Sequence, residues 1–443
     1  MSRTSRLVFA SAAASTLVLA ACGTSKSSDD EDHCLNTSGS GLNPLGSCDP
    51  GFTKSSPNTP DSIEVTISGE TLGENGLPWT PINQGDPQFV DGWSVSFDKY
   101  IVVVGDIRLS PDALQYQDQQ MLNSIVAEKK GPYVIDVHQL STDGTNGLVG
   151  ADGEEPAGGI FTWDKQDDGT PFDTSTLYAF SYDTIQAQYP ATQVNLTEND
   201  LGIYDQMVQN HWDKYIEATA TFVATGHYGS AGSAGDAAIE QEFEQLAGGV
   251  YDGSAGVYTT PPQVHFVFGW DDHTSSINCI NPFNGNMDEA NLANRGVEPD
   301  SNGATIAQVT VHTDHVFWDK LKLEGTPLRM DYIAAWAGSD TNATPLDLGS
   351  LGDKPLATTF ADGTPLPDRA PFLDNPTGAF TTDQADPTQV TLNLNGVTAA
   401  NIAGLSNFMA FSAQSQTHLN ANGLCYIVGQ NASDPFYHPS VGP

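Results

Sequence analysis

Positive charge is what this sequence has least of. Lys and Arg number 16 in 443 residues, against 55 Asp and Glu, for a formal net charge of −39 at pH 7. Nucleic-acid binding depends on cations that neutralise phosphates, so no nucleic-acid partner is expected. An anionic lipid surface would repel the chain for the same reason. The acids are scattered along the chain, which suits a well-hydrated, soluble surface in a salt-rich habitat. Long apolar runs are scarce too: past the N-terminus none reaches the roughly 18 residues of a spanning helix. HExxH, a Walker phosphate loop, GxGxxG and CxxCH are all missing. Zincin, nucleotide-binding and c-haem readings therefore have no footing.

The chain opens MSRTSRLVFASAAASTLVLAAC. Arg3 and Arg6 precede an apolar, small-residue run from Leu7 to Ala21, the pattern of a signal peptide rather than a stable span. The run ends in Leu19-Ala20-Ala21-Cys22, which resembles the lipobox of bacterial lipoproteins. That resemblance implies removal of residues 1–21 and a lipid anchor on Cys22. Two or three acyl chains hold firmly, at about 0.8 kcal/mol per buried CH₂. Gly23 follows, where the sorting rule of Gram-negative lipoproteins places Asp to retain a protein in the inner membrane. By that analogy the expected place is the cell envelope, at the outer membrane, on its periplasmic or surface-exposed face.

Cysteine is rare, with five in all. Apart from Cys22 there are Cys34, Cys48, Cys279 and Cys425, an even set that suggests two disulfides in an exported protein. Cys34–Cys48 and Cys279–Cys425 is the preferred pairing, because the first two lie in a separate segment. That segment, residues 22–60, is rich in Ser, Asp, Gly, Asn and Pro and reads as a flexible acidic tether.

The globular part begins near residue 61. "SIEVTISGE", "GWSVSFDKYIVVVGDIRLS", "GPYVIDVHQL", "EATATFVATGHYG", "PQVHFVFGW", "ATIAQVTVHTDH", "QVTLNLNG" and "LCYIVG" read as strands, many of them alternating. Gly, Pro, Asn and Asp punctuate them. The expectation is a mainly β protein: an antiparallel β-sandwich over 61–337 with a few short helices and long loops. The loop-rich region 338–443 would complete it. The clearest helix is "ENDLGIYDQMVQNHWDKY", with Thr197 and Asp200 forming a capping box and Leu201, Tyr204, Val208 and Trp212 an apolar stripe. "AAIEQEFEQL" and "DQQMLNSIVAEK" are further candidates.

Chemistry-bearing motifs are few. "GSAGSAG" (Gly229–Gly235) looks like a nucleophile elbow, but Ala231 stands two residues before Ser233 where the elbow needs Gly, and no βαβ rhythm surrounds it. "DKQDDGTPFD" and "EPDSNGATIAQV" could take a structural calcium. Both lack the twelfth-position Glu of an EF-hand, and an Asx turn explains them as well. Histidine is the remaining lead. His227, His265, His273, His312 and His315 sit beside polar or aromatic residues. In "VTVHTDHVF" strand parity puts His312 and His315 on opposite faces, so a straight strand cannot chelate through both. Thr313 and Asp314 are good helix N-caps, and a strand-to-helix corner there would bring the two imidazoles together.

Three segments, "DGWSVSFDKYIVVVGDIRLS", "VHFVFGWDDHTSSINC" and "VTVHTDHVFWDKLKLEGTPLRMDYIAAWA", resemble a group of β-rich secreted lipoproteins of Proteobacteria without an established activity. A more distant likeness, carried by "GDIRL", "VIDVHQL" and "AGGIF", is to periplasmic copper-binding proteins associated with methanobactin. It implies a β-sandwich holding copper through histidine. No ligand motif transfers position by position.

The expected function is a non-enzymatic envelope lipoprotein that binds a transition metal (copper, zinc or iron) through His312, His315, His265 and His273, with His227 in reserve. Asp314 or Asp272 would add a carboxylate ligand or orient an imidazole. The alternative is a surface module recognising a glycan or an outer-membrane protein partner. A hydrolase is the third reading.

Overall fold

The structure, a computed structural model, describes residues 55–56, 60–79, 89, 92–111, 113, 124–140, 156–223, 263–271, 273–285, 292–318, 328, 330–334, 344–351, 409–410, 413 and 416–429. The expected strand at "QVTLNLNG", the helix at "AAIEQEFEQL" and the Cys34–Cys48 pair lie outside the described residues, as do Cys22, His227 and Asp272.

The protein is mainly β and folds as two sheets. The smaller runs β1 (Ser55–Ser56), β12 (Ala304–Val311), β2 (Ile63–Ser68), β6 (Gly158–Trp163), with β14 (Thr417–Leu419) also paired to β12. The larger has β13 (Leu346–Asp347), β10 (Gln263–Trp270), β9 (Lys214–Phe222), β3 (Trp93–Ser110), β7 (Ala179–Thr184), β11 (Thr274–Ile277) and β15 (Tyr426–Gly429) in that order. β4 (Ala127–Lys129) and β5 (Tyr133–Asp136) pair with the far half of β3, and β8 (Thr192–Gln193) with β5. Most ladders are antiparallel. β2–β12, β10–β13 and β5–β8 are parallel, a mixture that the alternation of the sequence did not disclose.

The 18-residue β3 is the spine of the larger sheet. Its even-numbered Tyr100, Val102 and Val104 join the core between the sheets, with Ile63, Val65, Ile67, Val309, Val311, Phe266 and Phe268. Its odd-numbered Ile101 and Val103 face the other way, beneath Tyr204 and Met207 of a helix. That helix, Leu201–Asn210, follows a capping box in which the Asp200 carboxylate accepts from the Thr197 N–H (2.8 Å) and hydroxyl (2.7 Å). The expected stripe needs correction: Leu201 is exposed, Met207 is buried, and the helix ends before Trp212 because His211 takes a left-handed φ of 60°. "DQQMLNSIVAEK" also departs from expectation, since its Ala127–Lys129 is strand β4.

Both faces of β2 and β12, at the middle of the smaller sheet, are covered. Every residue of β2 and of β12 is buried, the polar Glu64, Thr66, Ser68, Gln308 and Thr310 included. Buried polar groups need partners: the Thr66 hydroxyl donates to the Gln308 side-chain oxygen at 3.0 Å across the parallel register, and the Ser68 hydroxyl oxygen accepts from the Glu70 N–H at 2.9 Å. The expected Cys279–Cys425 disulfide is present and joins the segment after β11 to the segment before β15.

Candidate metal centre

The buried polar face of β12 runs through Gln308 and Thr310 and ends at His312. There the strand stops. Thr313 and Asp314 make a turn, and His315–Phe317 follows as one 3-10 turn. Two anchors fix this corner. The Phe317 ring enters the core between the sheets, packing against Phe89, Phe97 and Phe266 with ring centres 5.6, 6.4 and 6.1 Å away. The Asp314 carboxylate accepts from the Trp318 indole N–H at 2.8 Å, and the Asp314 carbonyl from the Phe317 N–H at 2.8 Å.

The corner unites what a straight strand would separate. The His312 and His315 ring centres are 5.3 Å apart. One ligand atom from each of His312, Asp314 and His315 lies within 4.8 Å of the others, and all three residues are buried. Such a group can hold a metal ion.

A third imidazole stands beside them. His418 pairs with Thr310 in the β12–β14 ladder, which puts it on the face that ends at His312. Its ring centre is 4.1 Å from that of His312 and 6.1 Å from that of His315. After β14 the chain reverses through Asn420 and Ala421, both left-handed, at φ 50° and 70°. Hydrogen bonds pin this turn to β12: the Asn420 N–H donates to the Gln308 carbonyl at 2.8 Å, and the Ala421 N–H to the Thr310 hydroxyl at 2.9 Å. Gly423 closes the turn where a Cβ would lie 2.1 Å from the Ile280 carbonyl oxygen, so no larger residue fits.

The pinned turn aims the Ala421 carbonyl at His312 Nε2, 3.4 Å away, and Glu70 Oε1 faces the same nitrogen at 3.6 Å. Glu70, at the start of helix α1 (Glu70–Asn75), is itself buried in a left-handed conformation, φ 59°. His312 Nδ1 and the Thr313 hydroxyl are buried with no hydrogen-bond partner among the described residues. Burial pushes the His312 imidazole down to about 4. Burial, then the neighbouring His312 and His418, hold His315 well below the ordinary histidine range. At neutral pH both rings are uncharged and keep a lone pair, the state a metal requires.

Not every expected residue gathers here. His265 is half-buried on β10, on the face away from Val264, Phe266 and Phe268 as strand parity requires, and pairs with Glu217 at 3.2 Å. Neither it nor His273 belongs to the group that can hold an ion. His273 lies near Asp183, whose carboxyl burial pushes up to about 6 against the pull of the Arg108 guanidinium. Each of the two candidate calcium loops contains an Asx turn. Asp168 Oδ1 accepts from the Thr170 N–H (2.8 Å) and hydroxyl (2.7 Å), and Asp300 Oδ1 from the Asn302 N–H (2.8 Å). Sequence reasoning missed His418 and Glu70. The one sequence hint to His418 is the Asn-Ala-Asn-Gly run at 420–423, a reversal just before "LCYIVG".

No protein-family model, curated protein or solved structure matches the chain.

Proposed function

We propose that this protein is a lipid-anchored envelope protein that holds a transition-metal ion at the His312–Asp314–His315 corner and is not an enzyme. The observation that carries the reading is the corner itself. Two uncharged imidazoles and a carboxylate converge within 4.8 Å in the interior. Imidazole suits copper, zinc and iron, whereas calcium and magnesium prefer all-oxygen shells. Closed sites keep their metal, and catalytic ones hold a position open to water or substrate. His312, Asp314 and His315 are each at most 2 % exposed, which favours retention over turnover. The anchor rests on the lipobox-like Leu19-Ala20-Ala21-Cys22.

The test is thermal unfolding of the purified full chain after chelation, with zinc, copper or iron returned. An ion that binds only the folded state stabilises it by about 2.7 kcal/mol when free ion is 100 times Kd. One of the three metals should raise Tm in the native chain and leave a His312→Ala/His315→Ala chain unmoved. Equal responses from the two chains, or no response from either, contradict the proposal. For the anchor, radiolabelled fatty acid should enter the native chain and not a Cys22→Ser chain.

A further inference from the structure

We propose that His418 is a third imidazole ligand of this centre and that Glu70, with the Ala421 carbonyl, orients His312 toward the ion. The inference rests on the metal reading and deepens it. It makes the centre three-nitrogen, one-oxygen, with His312, His315, His418 and Asp314 as donors, a set suited to a borderline divalent transition-metal ion.

The three ring centres form a triangle with sides of 4.1, 5.3 and 6.1 Å. The circumcentre of that triangle is about 3.1 Å from each ring centre, and an imidazole bound to zinc at about 2.0–2.1 Å places its own centre roughly 3.2 Å from the ion. One ion at that point is within bonding range of all three rings with their centres where they are, in an arrangement nearer planar than tetrahedral, provided each ring turns a nitrogen toward it. His418 stands beside the His312–Asp314–His315 group, so it enters the shell by turning about its Cβ–Cγ bond. That rotation swings its nitrogens and leaves the ring centre nearly in place.

His312 presents Nδ1, not Nε2, to the ion. A ligating histidine usually gives its other N–H to a carboxylate or a backbone carbonyl, which fixes the tautomer and makes the ring a better donor. His312 Nε2 has the Ala421 carbonyl within hydrogen-bond distance at 3.4 Å, and the Glu70 carboxylate stands just beyond it, Oε1 at 3.6 Å. The proton belongs on that side. Nδ1, buried and without a partner among the described residues, keeps the lone pair. Two unusual backbone conformations maintain the arrangement, since Glu70 and Ala421 are both non-glycine residues with positive φ. Conformations of that kind persist where the surroundings enforce them, commonly at ligand sites.

The donors and the residue that orients them come from distant parts of the chain. The corner follows β12, His418 arrives on β14, and Glu70 follows β2. An ion here joins β14 to the corner after β12, and Glu70 brings the end of β2 to the same point through His312.

The test counts imidazoles on the metal. The full chain is loaded with Cu²⁺ for pulsed electron paramagnetic resonance and with Zn²⁺ for X-ray absorption. Affinity comes from chelator competition. The native chain should show three imidazoles. His418→Ala should show two and lose at least about tenfold in affinity. Glu70→Gln should keep three and weaken binding by roughly 10- to 100-fold, as loss of an orienting partner does. Metal bound by two imidazoles in the native chain, or an unchanged count and affinity in His418→Ala, overturns the His418 assignment and leaves the His312–Asp314–His315 reading standing. Unchanged affinity in Glu70→Gln overturns the role of Glu70. No metal in the native chain overturns the reading and the inference together. If His418→Ala does not fold, the native count decides.

Discussion

His312, just past the end of β12, and His418, on the neighbouring β14, have their ring centres 4.1 Å apart, both buried. Two charged imidazoles at that separation would repel strongly in a medium of low dielectric. The arrangement is therefore built for neutral rings.

A pH dependence follows. His312 titrates at about 4 in the folded chain against 6.5 for an unperturbed histidine, because burial disfavours its charged form. Between those values the unfolded chain binds the proton first. The contribution is full above pH 6.5 and is lost as pH falls toward 4, by roughly 3 kcal/mol at most. Asp183 acts in the opposite sense: its carboxyl is raised to about 6, so its contribution grows as pH falls from 6 toward 3.8. The difference between chains isolates His312. Urea midpoints of the metal-free native chain should fall more between pH 7 and pH 4.5 than those of His312→Asn. Parallel curves would contradict the assignment.

Ala421 carries a strained backbone, at φ 70°, in a turn where glycine would be at ease. Ala421→Gly should raise the unfolding free energy by about 0.5–1 kcal/mol, read from denaturant midpoints. A lower midpoint would show that the methyl group packs in a way that outweighs the strain.

The Cys279–Cys425 disulfide closes a loop with a sequence separation of 146 and lies next to the hairpin that carries His418 and Ala421. Long loops gain most from such a link, and its loss should cost about 3–5 kcal/mol. A Cys279→Ser/Cys425→Ser chain should unfold at lower denaturant and lose its metal to a chelator faster. Equal metal-release rates would uncouple the hairpin from the centre.

Much of the fold was legible in the sequence. The alternation of "GWSVSFDKYIVVVGDIRLS" became the 18-residue β3, and Thr197 and Asp200 cap their helix as their spacing predicts. Parity also showed that His312 and His315 meet only if the chain turns at Thr313-Asp314, and it does turn there. Other features depend on tertiary packing. "IEVTIS" alternates as though one face met water, yet both faces are buried, because coverage is decided by other parts of the chain. His418 has no spacing relation to His312, and only the β12–β14 register joins them. Glu70 read as the end of a strand, whereas its positive φ turns the chain into a helix.

The most direct measurement is the metal content of the full chain, purified without a tag, after repletion with copper, zinc or iron and removal of loosely held ions. About one equivalent of a single metal in the native chain, falling to near zero in His312→Ala/His315→Ala, is the predicted result. Content well below one equivalent in the native chain, or content that the double substitution leaves unchanged, would contradict the account.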